Sequence, residues 1–207
     1  MARATARADR LVEELRPHIR DERVLSAIAN VPRVLFVPRR LMAAAWDNTA
    51  LPIGSGQTIS QPVVVARMCE LLELRGGVRV LDVGTGSGYH AAVLAQLAAE
   101  VWSIEREPQL SRRAALALEV AGVRNVHLVV GDGSQGHQPA APYDAINVGA
   151  AAQGEPPAAL EHQLAEGGRL VAPVDGPDQR LMLVRKTPDD LVRTWHEPVR
   201  FVPLVED

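Results

Sequence analysis

The chain has 207 residues, 47% hydrophobic and 23% charged, an ordinary composition for one globular domain. A formal net charge of −3 argues against a general nucleic-acid-binding surface. A single cysteine, Cys69, excludes an internal disulfide framework and any multi-cysteine metal site. Of 22 basic residues 21 are Arg, Lys186 being the one Lys, and Ala occurs 30 times. The paired excess reads as coding bias before it reads as bidentate anion recognition.

The stretch 8–30 reads as helical in two pieces. Leu11, Val12, Leu15 and Ile19 mark an apolar face, Pro17 interrupts it, and Asp21 is placed to cap a second helix carrying Val24, Leu25, Ile28 and Val31. Pro32 ends that helix. Phe36-Val37-Pro38 reads as a connector. Residues 51–62, rich in Gly, Ser, Thr and Gln between Pro52 and Pro62, read as a loop. Helical spacing returns over 63–74.

From residue 78, short apolar runs alternate with helical segments. The runs fall at 78–83, 101–104, 126–130, 143–148 and 169–173, and the helices at 89–98, 110–121 and 156–164. Segments at 181–185 and near Phe201-Val202 are expected to add the last strands. This alternation predicts an α/β fold, a doubly wound and mostly parallel sheet with right-handed crossovers. An N-terminal helical extension (1–75) precedes the sheet (76–207) within one domain. Ligands on such sheets bind at the carboxyl ends of the strands. No apolar run is long enough for a membrane span, and Met1 to Arg10 lacks the apolar core of a signal peptide, so a cytoplasmic protein is expected.

The strongest motif is Asp82-Val83-Gly84-Thr85-Gly86-Ser87-Gly88-Tyr89, where a strand meets a helix. Alternate glycines let the backbone turn tightly and approach a ligand closely. A dinucleotide fingerprint would need Gly where Tyr89 stands, which disfavours a nicotinamide dehydrogenase. An acid followed by G-x-G-x-G resembles the first motif of class I S-adenosylmethionine-dependent methyltransferases. Glu105, at the end of the second run, is placed to accept both ribose hydroxyls. Asp132-Gly133, ending the third, is placed to take the adenine amino group. Each alone has a plain reading, as a solvated strand end or a turn; three at successive strand ends point to a cofactor site. Thr85, Gly86, Gly88 and Arg106 complete the expected cofactor set. Asp82 either hydrogen-bonds the glycine-loop backbone or sits near the cofactor's amino group. His90 reads as a partly exposed helix residue, and no histidine has metal-ligand spacing.

The substrate half must be read elsewhere. Asn147-Val148-Gly149-Ala150 is not an amino-methylating N/D-P-P-Y/F tetrad. The segment Leu51-Pro52-Ile53-Gly54-Ser55-Gly56-Gln57-Thr58-Ile59-Ser60-Gln61-Pro62 resembles the signature loop of protein-L-isoaspartate (D-aspartate) O-methyltransferases. The resemblance extends through Val31-Pro32-Arg33, Phe36-Val37-Pro38, Ala45-Trp46-Asp47-Asn48, Ser103-Ile104-Glu105-Arg106, Gly167-Gly168-Arg169-Leu170-Val171 and Val199 to Leu204. It implies transfer of a methyl group from S-adenosyl-L-methionine to the α-carboxylate of isoaspartyl residues in peptides and proteins, leaving S-adenosyl-L-homocysteine. The ester then collapses to a succinimide, which initiates repair; the family's name also covers D-aspartyl residues. It also implies a monomer, with Ser60 catalytic and Ile53, Gly54, Gln57, Thr58, Ile59 and Ser60 forming the substrate loop. On the residues alone, Ser60 also suits a helix cap before Pro62. Two departures stand out: Ser134 where the family often has a bulky residue, and Gly149 where it often has Thr. The alternative reading is a class I methyltransferase acting on a small-molecule carboxylate, and a third is a non-catalytic cofactor-binding scaffold. No metal, nucleic acid or membrane is expected.

Overall fold

The computed structural model describes residues 2–206. Helix α1 (Ala2–Leu15) ends before Pro17, and α2 (Glu22–Asn30) begins where Asp21 Oδ1 accepts the Arg23 backbone N–H at 2.9 Å. Leu11, Leu15, Ile19, Leu25 and Ile28 are buried in one cluster, as their spacing requires. Two 3-10 turns follow, Arg33–Phe36 and Arg39–Ala44.

Residues 51–62 are not simply a loop. Strand β1 (Leu51–Gly54) pairs antiparallel with β2 (Gln57–Ile59). The turn between them puts Ser55 and Gly56 at φ 53° and 69°, the backbone a two-residue hairpin needs. Strands of four and three residues are too short for alternation to show in sequence. Helix α3 (Pro62–Leu72) starts with Pro in its first turn, where a missing N–H costs nothing.

The large sheet contains β3 (Arg79–Val83), β4 (Glu100–Glu105), β5 (Val126–Val130), β6 (Tyr143–Val148), β7 (Ala152–Gln153), β8 (Leu164–Asp175), β9 (Arg180–Lys186) and β10 (Leu191–Pro198). Its order is β10-β9-β8-β6-β3-β4-β5, with β7 beside β8. The pairs from β8 to β5 are parallel, whereas β8–β9 and β9–β10 are antiparallel. Helices α4 (Tyr89–Leu97), α5 (Pro108–Val120) and α6 (Ala158–His162) fill the crossovers. The chain runs β3-β4-β5 outward, then crosses back to β6 on the other side of β3. The switch point is therefore the carboxyl end of β3, where the glycine loop begins.

Side chains alternate across the sheet. Val80, Val101 and Ala145 join the core beneath α1–α4, while Leu81, Ile104 and Ile146 join the core on the opposite face.

Two C-terminal expectations change. Strand β8 begins before the apolar run and includes Gly167-Gly168; a Cβ at Gly168 would lie 3.0 Å from the Asp144 carbonyl oxygen, which is why glycine stands there. The last strand is β10 and not Phe201-Val202. It is an edge strand with mostly exposed side chains, so hydrophobicity does not mark it. The 201–204 segment instead docks on Ala151, whose N–H donates to Val202 O (2.8 Å) and whose carbonyl accepts from Leu204 N–H (2.7 Å).

Gly88 sets the packing of α4 against α5: it has φ 85°, and a Cβ there would meet Ala114 Cβ at 3.1 Å. Gly88→Ala is expected to destabilise by about 2 kcal/mol, or roughly 4–8 °C in Tm. Gly76→Ala, with nothing within 4 Å, is the control and is expected to melt as the wild type does.

Candidate active site

The glycine loop leaves β3 with Gly84, Gly86 and Gly88 at φ 91°, 55° and 85°, a path closed to other residues without strain. Beneath it the alternation of the sheet lines up three polar side chains. Asp82 on β3 is in register with Ser103 on β4 and Asn147 on β6, and all three are fully buried. Asp82 Oδ2 accepts from Ser103 Oγ and Oδ1 from Asn147 Nδ2, both at 2.7 Å. Burial pushes the Asp82 carboxyl up to about 6, against the opposing pull of these two hydrogen bonds. The expected hydrogen bonds from Asp82 to the glycine-loop backbone are not what forms: its two oxygens accept instead from the side chains of Ser103 and Asn147 beneath the loop.

Glu105 closes β4 and is 7% exposed. Its Oε2 accepts the Gly86 N–H at 2.7 Å and its Oε1 the Glu107 N–H at 3.0 Å. One lone pair on each oxygen is left for two further donors, which is what a vicinal diol offers. Asp132 follows β5 and accepts the Ser134 N–H at 2.9 Å and the Ser134 hydroxyl at 2.8 Å. The Ser134 departure thus locks that carboxylate. Arg106, next to Glu105, is exposed.

Two glycines, Gly133 and Gly149, leave the floor between these acids closely packed. A Cβ on Gly133 would lie 2.5 Å from Val83 Cγ1. A Cβ on Gly149 would lie 3.2 Å from the carbonyl oxygens of Val83 and Gly84. The second departure therefore widens the floor at the switch point. Spare carboxylate lone pairs above a floor of glycines fit an adenosine-bearing cofactor.

The hairpin covers this floor. A Cβ on Gly86 would touch Ile53 Cδ1 at 3.6 Å, so Ile53 lies over the loop, and Ile59 is buried beside it. Ser60 follows β2 and is half-buried. The α3 cap is Gln61, without a side-chain cap bond, so Ser60 is not a cap. Its carbonyl accepts from Arg33 Nη2 at 3.1 Å. Arg33 also donates to Ala45 O at 2.7 Å and Thr49 O at 2.9 Å, and its guanidinium lies 5.5 Å over the Tyr89 ring. Asn48 Oδ1 accepts the Val63 N–H at 3.0 Å, which clips the start of α3 to the same corner. Gly54 and Thr58 are exposed and Gln57 is half-buried. A cleft of about 390 Å³ runs along the hairpin tip between Ile53, Gly54, Gly86 and Leu110.

Structure thus brings Ile53, Ile59, Ser60, the glycine loop, Glu105 and Asp132-Gly133 to one end of the sheet. Sequence reasoning missed Arg33, Ser103 and Asn147 as parts of it. Asn147 left a trace, as a polar residue well inside the apolar run 143–148. Among the described residues no cluster of His, Cys, Asp or Glu suits a metal ion, and no helix is long and apolar enough to cross a membrane.

A sheet of this order, with a glycine floor at the end of β3 and acids closing β4 and β5, defines a class I S-adenosylmethionine-dependent methyltransferase. Known proteins narrow the class. The family model described as Protein-L-isoaspartate(D-aspartate) O-methyltransferase matches residues 6–207, so the chain belongs to that family. A protein-L-isoaspartate O-methyltransferase 1 of Rhodopseudomonas palustris is 53% identical over 194 residues, 91% of this chain and 78% of its own. A protein-L-isoaspartate O-methyltransferase of Anaeromyxobacter dehalogenans is 56% identical over 190 residues, 90% of each chain. A Plasmodium falciparum member solved with S-adenosyl-L-homocysteine superposes with a TM-score of 0.83 at 26% identity, covering 95% of this chain and 97% of that one. Another solved protein-L-isoaspartate O-methyltransferase gives 0.88 at 28% identity; the match covers 96% of this chain but 66% of that longer one.

Because the folded pKa of Asp82 lies above its unfolded value, its ionisation costs stability. That cost is absent below about pH 4 and full above about pH 6. Asp82→Asn is expected to remove about 3 kcal/mol of stability loss between pH 4 and 6 in urea titrations. A wild-type-like pH slope in the variant would show that Asp82 titrates normally.

Proposed function

We propose that this protein transfers a methyl group from S-adenosyl-L-methionine to the α-carboxylate of L-isoaspartyl residues in damaged polypeptides, and initiates their repair through a succinimide. The observation that carries this reading is the hairpin, anchored by Arg33 at the Ser60 carbonyl, which lays Ile53 over the glycine loop of a chain in this family.

When bound, the cofactor supplies a methyl group made electrophilic by a sulfonium. Gly84, Thr85, Gly86 and Gly88 shape its loop; Glu105 takes the ribose hydroxyls; Asp132, Gly133 and Arg106 flank the adenine; Asp82 acts from beneath. The substrate carboxylate is already an anion at neutral pH, so no general base is required. The protein's tasks are to aim one oxygen and to exclude water. The Ser60 hydroxyl, which has no hydrogen-bond partner among the described residues, donates to the non-attacking oxygen and fixes the carboxylate's rotation. Ile53 and Ile59 keep the site dry, and Gly54, Gln57 and Thr58 present backbone and side-chain groups to the peptide. A net charge of −3 supports a polypeptide substrate over nucleic acid. A monomer is proposed on the family resemblance, and a cytoplasmic location on the free Cys69.

The test uses labelled S-adenosylmethionine and two peptides differing only in normal or isoaspartyl linkage. Base-labile label is expected in the isoaspartyl peptide alone; equal incorporation, or none, overturns the reading. Ser60→Ala is expected to slow transfer by about 10–100-fold while S-adenosylhomocysteine affinity stays within about threefold. Glu105→Ala is expected to lose cofactor affinity first, by about tenfold or more in calorimetry.

A further inference from the structure

The polar row under the glycine loop continues at both ends. Thr85 Oγ1 lies 2.6 Å from Ser103 Oγ. Ser103 commits its hydrogen to Asp82, so Thr85 donates to Ser103 and the glycine loop is tied to the carboxylate through two hydroxyls. At the other end Asn147 Nδ2, which donates to Asp82, also lies 3.3 Å from His90 Nδ1. An amide NH₂ has two hydrogens and no lone pair, so His90 accepts at Nδ1 and carries its own hydrogen on Nε2. That nitrogen lies 3.6 Å from Cys69 Sγ. Asn147 Oδ1 is buried without a partner. Turning the amide over would face that oxygen to the Asp82 carboxylate, so the orphaned carbonyl is the cost of an orientation that His90 and Asp82 jointly impose.

We propose that Asn147 is a positioning residue for methyl transfer. Turned by His90, it holds Asp82 as the anion, and through Ser103 and Thr85 it fixes the glycine loop that receives the cofactor. The proposal rests on the reading of that loop as the cofactor site.

The titratable groups around Asp82 leave it the one that changes charge near neutrality on this face. Glu105, from β4, acts on it through space and disfavours its charge. Burial pushes the Cys69 thiol of α3 up and holds the His90 imidazole of α4 down at about 3. Tyr89, between Cys69 and Arg33, is pushed up as well. Losing the Asn147 hydrogen bond therefore shows as a higher Asp82 midpoint.

The experiment follows the Asp82 carboxyl by carbon NMR against pH in the ligand-free protein, and S-adenosylhomocysteine affinity by calorimetry. Wild type, Asn147→Leu, His90→Leu and His90→Gln are compared. In Asn147→Leu the midpoint is expected to rise by about one pH unit, from about 6, with affinity at pH 7 down about twofold, down further toward pH 6 and regained at higher pH. His90→Leu is expected to move the same way. In His90→Gln the side-chain carbonyl can still accept the amide hydrogen, and the midpoint is expected to stay with the wild type. An unchanged midpoint in Asn147→Leu, or identical behaviour of the two His90 variants, overturns the proposal. Failure of the cofactor reading looks different: the midpoints move as stated while wild type binds no S-adenosylhomocysteine.

Discussion

Arg33 is a cation with no exposed surface, held by backbone carbonyls and an aromatic face in place of a carboxylate. Taking a guanidinium out of water is expensive, and burial pulls its pKa down. The cost is offset because Arg33 satisfies carbonyls at Ala45, Thr49 and Ser60 that a closely packed corner would otherwise orphan. Those carbonyls lie before, at the entrance to and at the exit from the hairpin, while Tyr89 begins the helix that follows the glycine loop. One side chain therefore joins the cover over the site to its floor. Ser60 has its position relative to the end of β3 because both are referenced to Arg33.

The floor follows a second rule. Sheet alternation sends Leu81 and Val83 to one core and Asp82 to the other face, and parallel register sets Ser103 and Asn147 beside it. Hydrogen bonds that run across the strands tie the glycine loop to the sheet without a side chain entering the space above it. Gly133 lets the end of β5 close against the Val83 side chain, and Gly149 lets the end of β6 close on the Val83 and Gly84 backbone. The site is thus tied together below by hydrogen bonds and apolar above at Ile53 and Ile59.

The fold was legible where local patterns decide it. The Asp21 cap, the break at Pro17 and the runs at 126–130 and 143–148 needed no tertiary information. The 51–59 hairpin was hidden because three- and four-residue strands show no period. Strand β10 was hidden because an edge strand need not be apolar. The acids that close β4 and β5, Glu105 and Asp132, were legible as strand-end residues because strand ends are fixed by the runs before them. Arg33 and Asn147 were not, since a buried polar group is recognised only by its partners, and those lie 12 to 27 residues from Arg33 and 57 and 65 from Asn147. Trace signals existed in both cases: an Arg between Pro32 and an apolar stretch, and an Asn inside an apolar run.

The dependence of Ser60 on Arg33 is tested most directly by the single-turnover rate of methyl transfer to an isoaspartyl peptide in Arg33→Lys, at saturating S-adenosylmethionine. Lys keeps the positive charge but lacks the planar fork that reaches three carbonyls. In the role proposed for Ser60, a small displacement of its hydroxyl spoils alignment of the substrate carboxylate with the methyl carbon. The expected result is a folded protein with a rate lowered by about tenfold to a hundredfold and S-adenosylhomocysteine affinity within about threefold of wild type. A wild-type rate in the folded variant would contradict it, since Ser60 would then hold its place without Arg33.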